Sequence, residues 1–259
     1  MVPILKEVGH KRLMVIGTGF YVTRYGLFIT ARHVLKELKD SDKGVLSKSF
    51  VCHMHKQGEI FLRPILRAHW LNEVDIGAGQ ADNYMGRHPA NPLMNLRGRL
   101  CAEFPREGEP LTTYAYPENE VLDFSSEEEI PEIFGDFFQG GFLRFVKIPE
   151  HPFLPFSYFE TAVELRGGMS GGPLFDSRGR IVGVNCRGWD FRGTEHEASP
   201  LSYIVPIAYI LDLGIDTFMV PPQSWEAHQL PSERVGTVFT GRELARYGHL
   251  RFEPPLEAA

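Results

Sequence analysis

A chain of 259 residues that is 43% hydrophobic and 23% charged has the composition of a soluble globular protein, long enough for one large domain or two small ones with a proper core. Its net charge of −6, with no lysine- or arginine-rich run, sets its field against nucleic acid and acidic membrane surfaces. No apolar run reaches the length of a membrane span or forms a signal peptide, and three widely spaced cysteines (Cys52, Cys101, Cys186) argue against a disulfide framework, so the expected setting is the reducing cytoplasm.

The 26 glycines and 19 prolines favour many short elements joined by turns, and hence an all-β architecture. Residues 13–16 read as a strand ending at Gly17-Thr18-Gly19, residues 20–23 continue it, and a turn at 24–26 leads into 27–30 as a hairpin. A helical pattern over 31–38 follows, so His33 stands where a strand gives way to a helix. A histidine there is either a structural residue or a general base. Residues 50–55 and 60–66 read as two more strands. They put His53 and His55 on one face beside Cys52, but without the further ligands of a zinc-like spacing, so no metal and no cofactor is expected. Asp75 opens a small-residue strand over 76–79, where an aspartate either turns the chain or accepts the Nδ1 proton of a histidine.

Residues 83–95 contain prolines and little periodicity and read as the connection between two halves. Strands are expected at 97–102, 111–117, 142–146 and 156–163, with the polar stretch 118–141, acidic at Glu127, Glu128 and Glu129, as a solvated loop. Then comes Gly167-Gly168-Met169-Ser170-Gly171-Gly172-Pro173. Glycines on both sides allow positive φ and close approach, and they set a serine hydroxyl beside free backbone N–H groups, as attack on a carbonyl requires. Taken alone the run is equally a glycine-rich turn with an incidental serine. Residues 173–175 and 180–186 form a hairpin, 201–205 a last strand, and Pro206 opens a helix over 206–213.

Four blocks occur in order: Gly17-Thr18-Gly19-Phe20, Thr30-Ala31-Arg32-His33, Val74-Asp75-Ile76-Gly77-Ala78 and Gly168-Met169-Ser170-Gly171-Gly172-Pro173. With Tyr114-Ala115-Tyr116-Pro117, Glu160-Thr161-Ala162-Val163, Ile181-Val182-Gly183-Val184-Asn185 and Ser202-Tyr203-Ile204-Val205-Pro206, they resemble the blocks of trypsin-like (chymotrypsin-fold) serine peptidases over about residues 13–213. The chain is more similar to bacterial HtrA-type and related intracellular forms than to digestive enzymes. The order His, Asp, Ser is the one this fold carries.

The resemblance implies two six-stranded Greek-key β-barrels with the active site in the cleft between them, plus a C-terminal helix and extension. The peptidase domain is expected at 1–213, with the first barrel at about 10–82 and the second at about 97–205, followed by an extension at 214–259. Ser170 is then the nucleophile, His33 the general base and Asp75 its orienting acid, with the N–H groups of Gly168 and Ser170 as oxyanion hole. Substrate pairs as an extended strand with Cys186-Arg187-Gly188, where Gly188 leaves room and Cys186 lines a pocket. Glu164 falls at the base of the primary specificity pocket, favouring Arg or Lys with Arg166 near enough to neutralise it, or else it is a loop residue facing solvent. The implied function is a serine endopeptidase acting on protein or peptide substrates through an acyl-enzyme. A second reading keeps the fold as a latent or partner-activated sensor that responds to a protein activator.

The chain departs from the secreted trypsins at Met169. An acidic residue there would receive the new N-terminal ammonium, and an Ile-Val-Gly-Gly start is also missing, so zymogen activation is not expected and control would pass to loops, tail or a partner. Residues 214–259 are too short for a PDZ domain. Trp225, Val238 and Phe239 are apolar anchors there, and Thr240-Gly241-Arg242-Glu243 has capping-box spacing, so the tail holds either a helix packed on the barrel or a docking element.

Overall fold

The computed structural model describes residues 1–23, 26–39, 46–54, 60–82, 97–117, 121–125, 131–189, 200–216 and 238–256. Strands β1 (Val2–Gly9), β2 (Arg12–Tyr21), β3 (Leu27–Thr30), β4 (Ser49–Met54), β5 (Ile60–Trp70) and β6 (Gly77–Ala81) follow one another around a barrel in the order β1-β4-β5-β6-β3-β2. Pairing of β2 back onto β1 closes it. Strand β6 is built of small residues for a steric reason: a Cβ on Gly79 would lie 2.2 Å from Cζ of Phe28, a ring buried in the barrel core. The helix α1 (Arg32–Glu37) follows β3 and buries Val34 and Leu35.

The second barrel is assembled from β7 (Pro110–Ala115), β9 (Asp136–Val146), β10 (Tyr158–Thr161), β11 (Pro173–Phe175), β12 (Ile181–Trp189) and β13 (Leu201–Pro206), closed in the order β10-β13-β12-β11-β7-β9. Between β7 and β9 the chain crosses to the first barrel, where β8 (Val121–Asp123) pairs with β2, Leu122 opposite Leu13. One apolar cluster is shared by the first barrel (Phe20, Ile29, Ile76), the second (Tyr158, Val184, Val205) and the C-terminal segment (Phe239, Leu244, Phe252). Removing these apolar faces from water against one another is the main force holding the three parts together.

The expected double barrel is borne out, with differences of detail. The first barrel starts at Val2, ahead of the expected residue 10, because Pro3 at a strand start does not prevent pairing with Thr18. The stretch 118–141 is not all loop: it holds β8 and the first half of β9, where Gly140 permits a close crossing, its Cβ position lying 2.3 Å from the Ala162 backbone. Of the strand expected over 97–102 only Leu100 makes bridges, to Ile181 and Phe252. The strand expected over 156–163 is Tyr158–Thr161, and the helix after Pro206 is a 3₁₀ helix, Ile207–Asp212. The connection at 83–95, the acidic run and Trp225 lie outside the described residues.

The C-terminal segment forms β14 (Gly214–Asp216), paired with β15 (Val238–Thr240), and α2 (Gly241–Arg246). The expected capping box is present: Thr240 Oγ1 accepts the Glu243 N–H, and the Glu243 carboxylate accepts the Thr240 N–H at 2.9 Å. Beyond α2 the chain brackets Leu100, whose N–H donates to the Arg251 carbonyl and whose carbonyl accepts from Glu253, both at 2.8 Å. No helix among the described residues is long and apolar enough to cross a membrane.

Candidate active site

The end of β3 and the first turn of α1 carry His33, and the turn before β6 carries Asp75. Two hydrogen bonds join them. The His33 backbone N–H donates to Asp75 Oδ1 at 2.9 Å, and His33 Nδ1 lies 2.7 Å from Asp75 Oδ2. Main chain and ring of one residue therefore fix the carboxylate. The Asp75 side chain is 7% exposed and that of His33 48%, so the acid is inside and the imidazole reaches solvent. The Arg32 guanidinium donates to the Asn72 carbonyl and holds its Nε 3.9 Å from Asp75 Oδ1. Burial pushes the Asp75 carboxyl up, but the His33 side-chain bond and charge, the Cys186 thiol and the His33 N–H outweigh it, and the net pKa lies below the usual value.

Cys186, expected to line a substrate pocket, is buried, with Sγ donating to Asp75 Oδ2 at 3.1 Å. Burial first, then the Asp75 charge and the bond to it, push the thiol well above its ordinary pKa, so it stays protonated and remains a donor.

The serine turn lies against the first barrel. Gly168 and Gly171 take φ of +82° and +85°. A Cβ on Gly171 would sit 1.9 Å from Thr30 Oγ1 and 2.4 Å from the Thr18 carbonyl oxygen. Thr18 holds two carbonyls of the turn: its N–H donates to Ser170 O at 2.8 Å and its hydroxyl to Gly168 O at 2.9 Å. Behind the turn Met169 is fully buried. Its Sδ accepts the Arg166 N–H at 3.2 Å, and its carbonyl accepts Asn185 Nδ2 at 3.2 Å. The Ser170 hydroxyl donates to the Cys186 carbonyl at 3.3 Å, beside β12. The N–H groups of Gly168 and Ser170 have no acceptor among the described residues. Contacts thus run from His33 to Asp75, from Asp75 to Cys186 and from Cys186 to Ser170.

Glu164 pairs with Arg166 at 2.9 Å, both side chains about half exposed. The Arg187 guanidinium lies 5.5 Å from the Phe153 ring centroid. The room expected at Gly188 is taken, since a Cβ there would stand 2.2 Å from the Leu165 carbonyl oxygen. Thr18, Arg32 and Asn185 belong to the sequence blocks, but their roles emerge only in the fold. A buried threonine between two glycines, next to the block bearing the nucleophile only in space, carries no local signal of what it binds. Cys52 is buried in an apolar cluster with its thiol pushed up to about 12, His53 stands on the same strand, and His55 lies outside the described residues. No group of three metal-ligating side chains converges among the described residues.

The family described as Trypsin-like peptidase domain matches residues 17–184. Among solved structures, Deg5 is similar at 20% identity and a TM-score of 0.54, over 81% of this chain and 84% of that one. A serine endoprotease from Yersinia pestis is similar at 15% identity and a TM-score of 0.52, over 80% of this chain and 58% of that one. The HtrA-type protease AlgW, in a structure with a decapeptide, is similar at 14% identity and a TM-score of 0.50, over 76% of this chain and 47% of that one. No curated protein sequence matches the chain. At these identities the structures share the fold.

Proposed function

The chain belongs to the trypsin-like peptidase domain family, and from that premise we propose that it is a serine endopeptidase cleaving protein or peptide substrates through an acyl-enzyme. Ser170 Oγ attacks the scissile carbonyl while His33 Nε2 takes its proton. Asp75 holds the ring in the required tautomer and stabilises the imidazolium. The oxyanion is received by the N–H groups of Gly168 and Ser170, worth about 3 kcal/mol for one such donor. His33 then returns the proton to the leaving amine, and water releases the acyl group by the same route.

The observation that carries the proposal is the double hydrogen bond from His33 to Asp75, within the same linked set of contacts as Ser170. The burial of Met169 and its Arg166 N–H···S bond organise the turn without an ion pair, in keeping with activity that needs no zymogen cleavage. Three free, buried cysteines suit the reducing cytoplasm. In this proposal residues 1–213 are the peptidase unit, and the described parts of the extension, 214–216 and 238–256, complete it by packing on it.

Replacing Ser170 by Ala is expected to abolish cleavage of a casein-type substrate and labelling by a fluorophosphonate, with the thermal unfolding midpoint unchanged. Persistent cleavage by pure Ser170→Ala protein refutes the assignment. Wild-type protein that neither labels nor cleaves refutes it in favour of a latent, partner-activated form.

A further inference from the structure

In the endopeptidase proposal the side chain before the scissile bond sits between the two segments that flank Ser170. One is 163–167, which leads into the serine turn. The other is 186–188, whose Cys186 carbonyl lies 3.3 Å from Ser170 Oγ. The gap between these segments sets which side chain is accepted.

That gap is closed by main chain. A Cβ built on Gly188 would lie 2.2 Å from the Leu165 carbonyl oxygen, 3.1 Å from its carbonyl carbon and 3.1 Å from its Cβ. No real Cβ survives the first of these distances, so Gly188 makes room for the Leu165 backbone, not for a ligand. Both sides are held. Val163 is buried in the core of the second barrel with Leu165 packed against that core, and the Arg166 N–H is tied to Met169 Sδ. Gly188 is paired across β12 and β13 with Ser202. The acid that would attract a cationic side chain is outside the gap, Glu164 being paired with Arg166 and half exposed.

We infer that the subsite next to Ser170 accepts only a small side chain, that of glycine, alanine or serine, with Leu165 and Gly188 as the residues that set this limit. The inference rests on the endopeptidase proposal and names its substrate class. A pocket discriminates by about 10–200-fold for a single methylene, so larger and cationic residues lose at least tenfold.

The test uses the full chain with a peptide library randomised around the scissile bond, cut sites being read by mass spectrometry and Ser170→Ala protein serving as the blank. Peptidyl phosphonates ending in alanine, leucine or lysine give the same order from their rates of Ser170 labelling, even where turnover is slow. Expected are Ser170-dependent cuts after glycine, alanine or serine, alanine phosphonate labelling at least tenfold faster than the others, and an unchanged preference in Glu164→Gln. Cuts after lysine or arginine that disappear in Glu164→Gln overturn the inference and leave the endopeptidase standing. Cuts after leucine or phenylalanine as fast as after alanine also overturn it. A protein that neither labels nor cleaves overturns the endopeptidase proposal and this inference with it.

Discussion

Replacing Cys186 by valine removes one hydrogen bond from Asp75 while keeping a small apolar body in a buried position. Asp75 Oδ2 accepts two donors, His33 Nδ1 at 2.7 Å and Cys186 Sγ at 3.1 Å. A hydrogen bond to a charged group is worth about 1.5–3 kcal/mol, and a thiol is a weak donor, so a loss of about 1–2 kcal/mol is expected. At about 1.4 kcal/mol per decade this lowers kcat roughly 5- to 30-fold. KM is expected to stay within about twofold because the Cys186 side chain is buried against Asp75. Cys186→Ser restores a hydroxyl donor and with it most of the activity. The same bond is one cause of the depressed Asp75 pKa. A carboxylate whose folded pKa is depressed adds stability above its unfolded value, near 3.8, and loses it as pH falls through the lower folded value. Cys186→Val shrinks that depression, so its thermal midpoint falls relative to wild type above about pH 4 and converges with it in stronger acid. Steady-state kinetics and thermal scans between pH 2 and 8 read both effects. A Cys186→Val protein with unchanged kcat, or a Cys186→Ser protein no better than Cys186→Val, refutes the reasoning.

Gly171→Ala combines a φ of +85° with a Cβ 1.9 Å from Thr30 Oγ1. It is expected to cost about 3 kcal/mol or more in urea unfolding and to remove activity. Met169→Asp sets a carboxylate where the native side chain has no exposure; the expected loss is several kcal/mol, about 3 or more, measured by urea unfolding at pH 7. Thr240→Ala breaks the capping box of α2 and costs about 1 kcal/mol in the same assay, while kcat is expected to stay at the wild-type value because α2 packs on the 3₁₀ helix.

The glycine-serine turn was legible as a turn because its constraint is local. Glycines that must adopt positive φ, as Gly168 and Gly171 do, are marked in the chain itself whatever surrounds them. The capping box over Thr240 and Glu243 was legible for the same reason. Strand β1 was missed because a proline near a chain end weakens the strand signal, while its pairing with β2 is a contact between separate segments. Strand β8 was missed because three residues of loop become a strand only by meeting the far side of the other barrel. The bond from Cys186 to Asp75 had no local signal, since which face of β12 meets Asp75 depends on how the two barrels dock.

By itself the sequence determined the all-β class and the two halves, which follow from turn chemistry and apolar patterning over a few residues at a time, while the set His33, Asp75 and Ser170 was implied by the resemblance to trypsin-like peptidases and by no local pattern. The tertiary structure alone decided that Asp75 takes bonds from both His33 and Cys186, that Thr18 holds the serine turn, and that the Leu165 backbone occupies the space before Gly188. Each of these is a contact of about 2–4 Å between segments remote in the chain, fixed by close packing of the barrels against each other and of the strands within them. No local pattern of residues encodes such a distance.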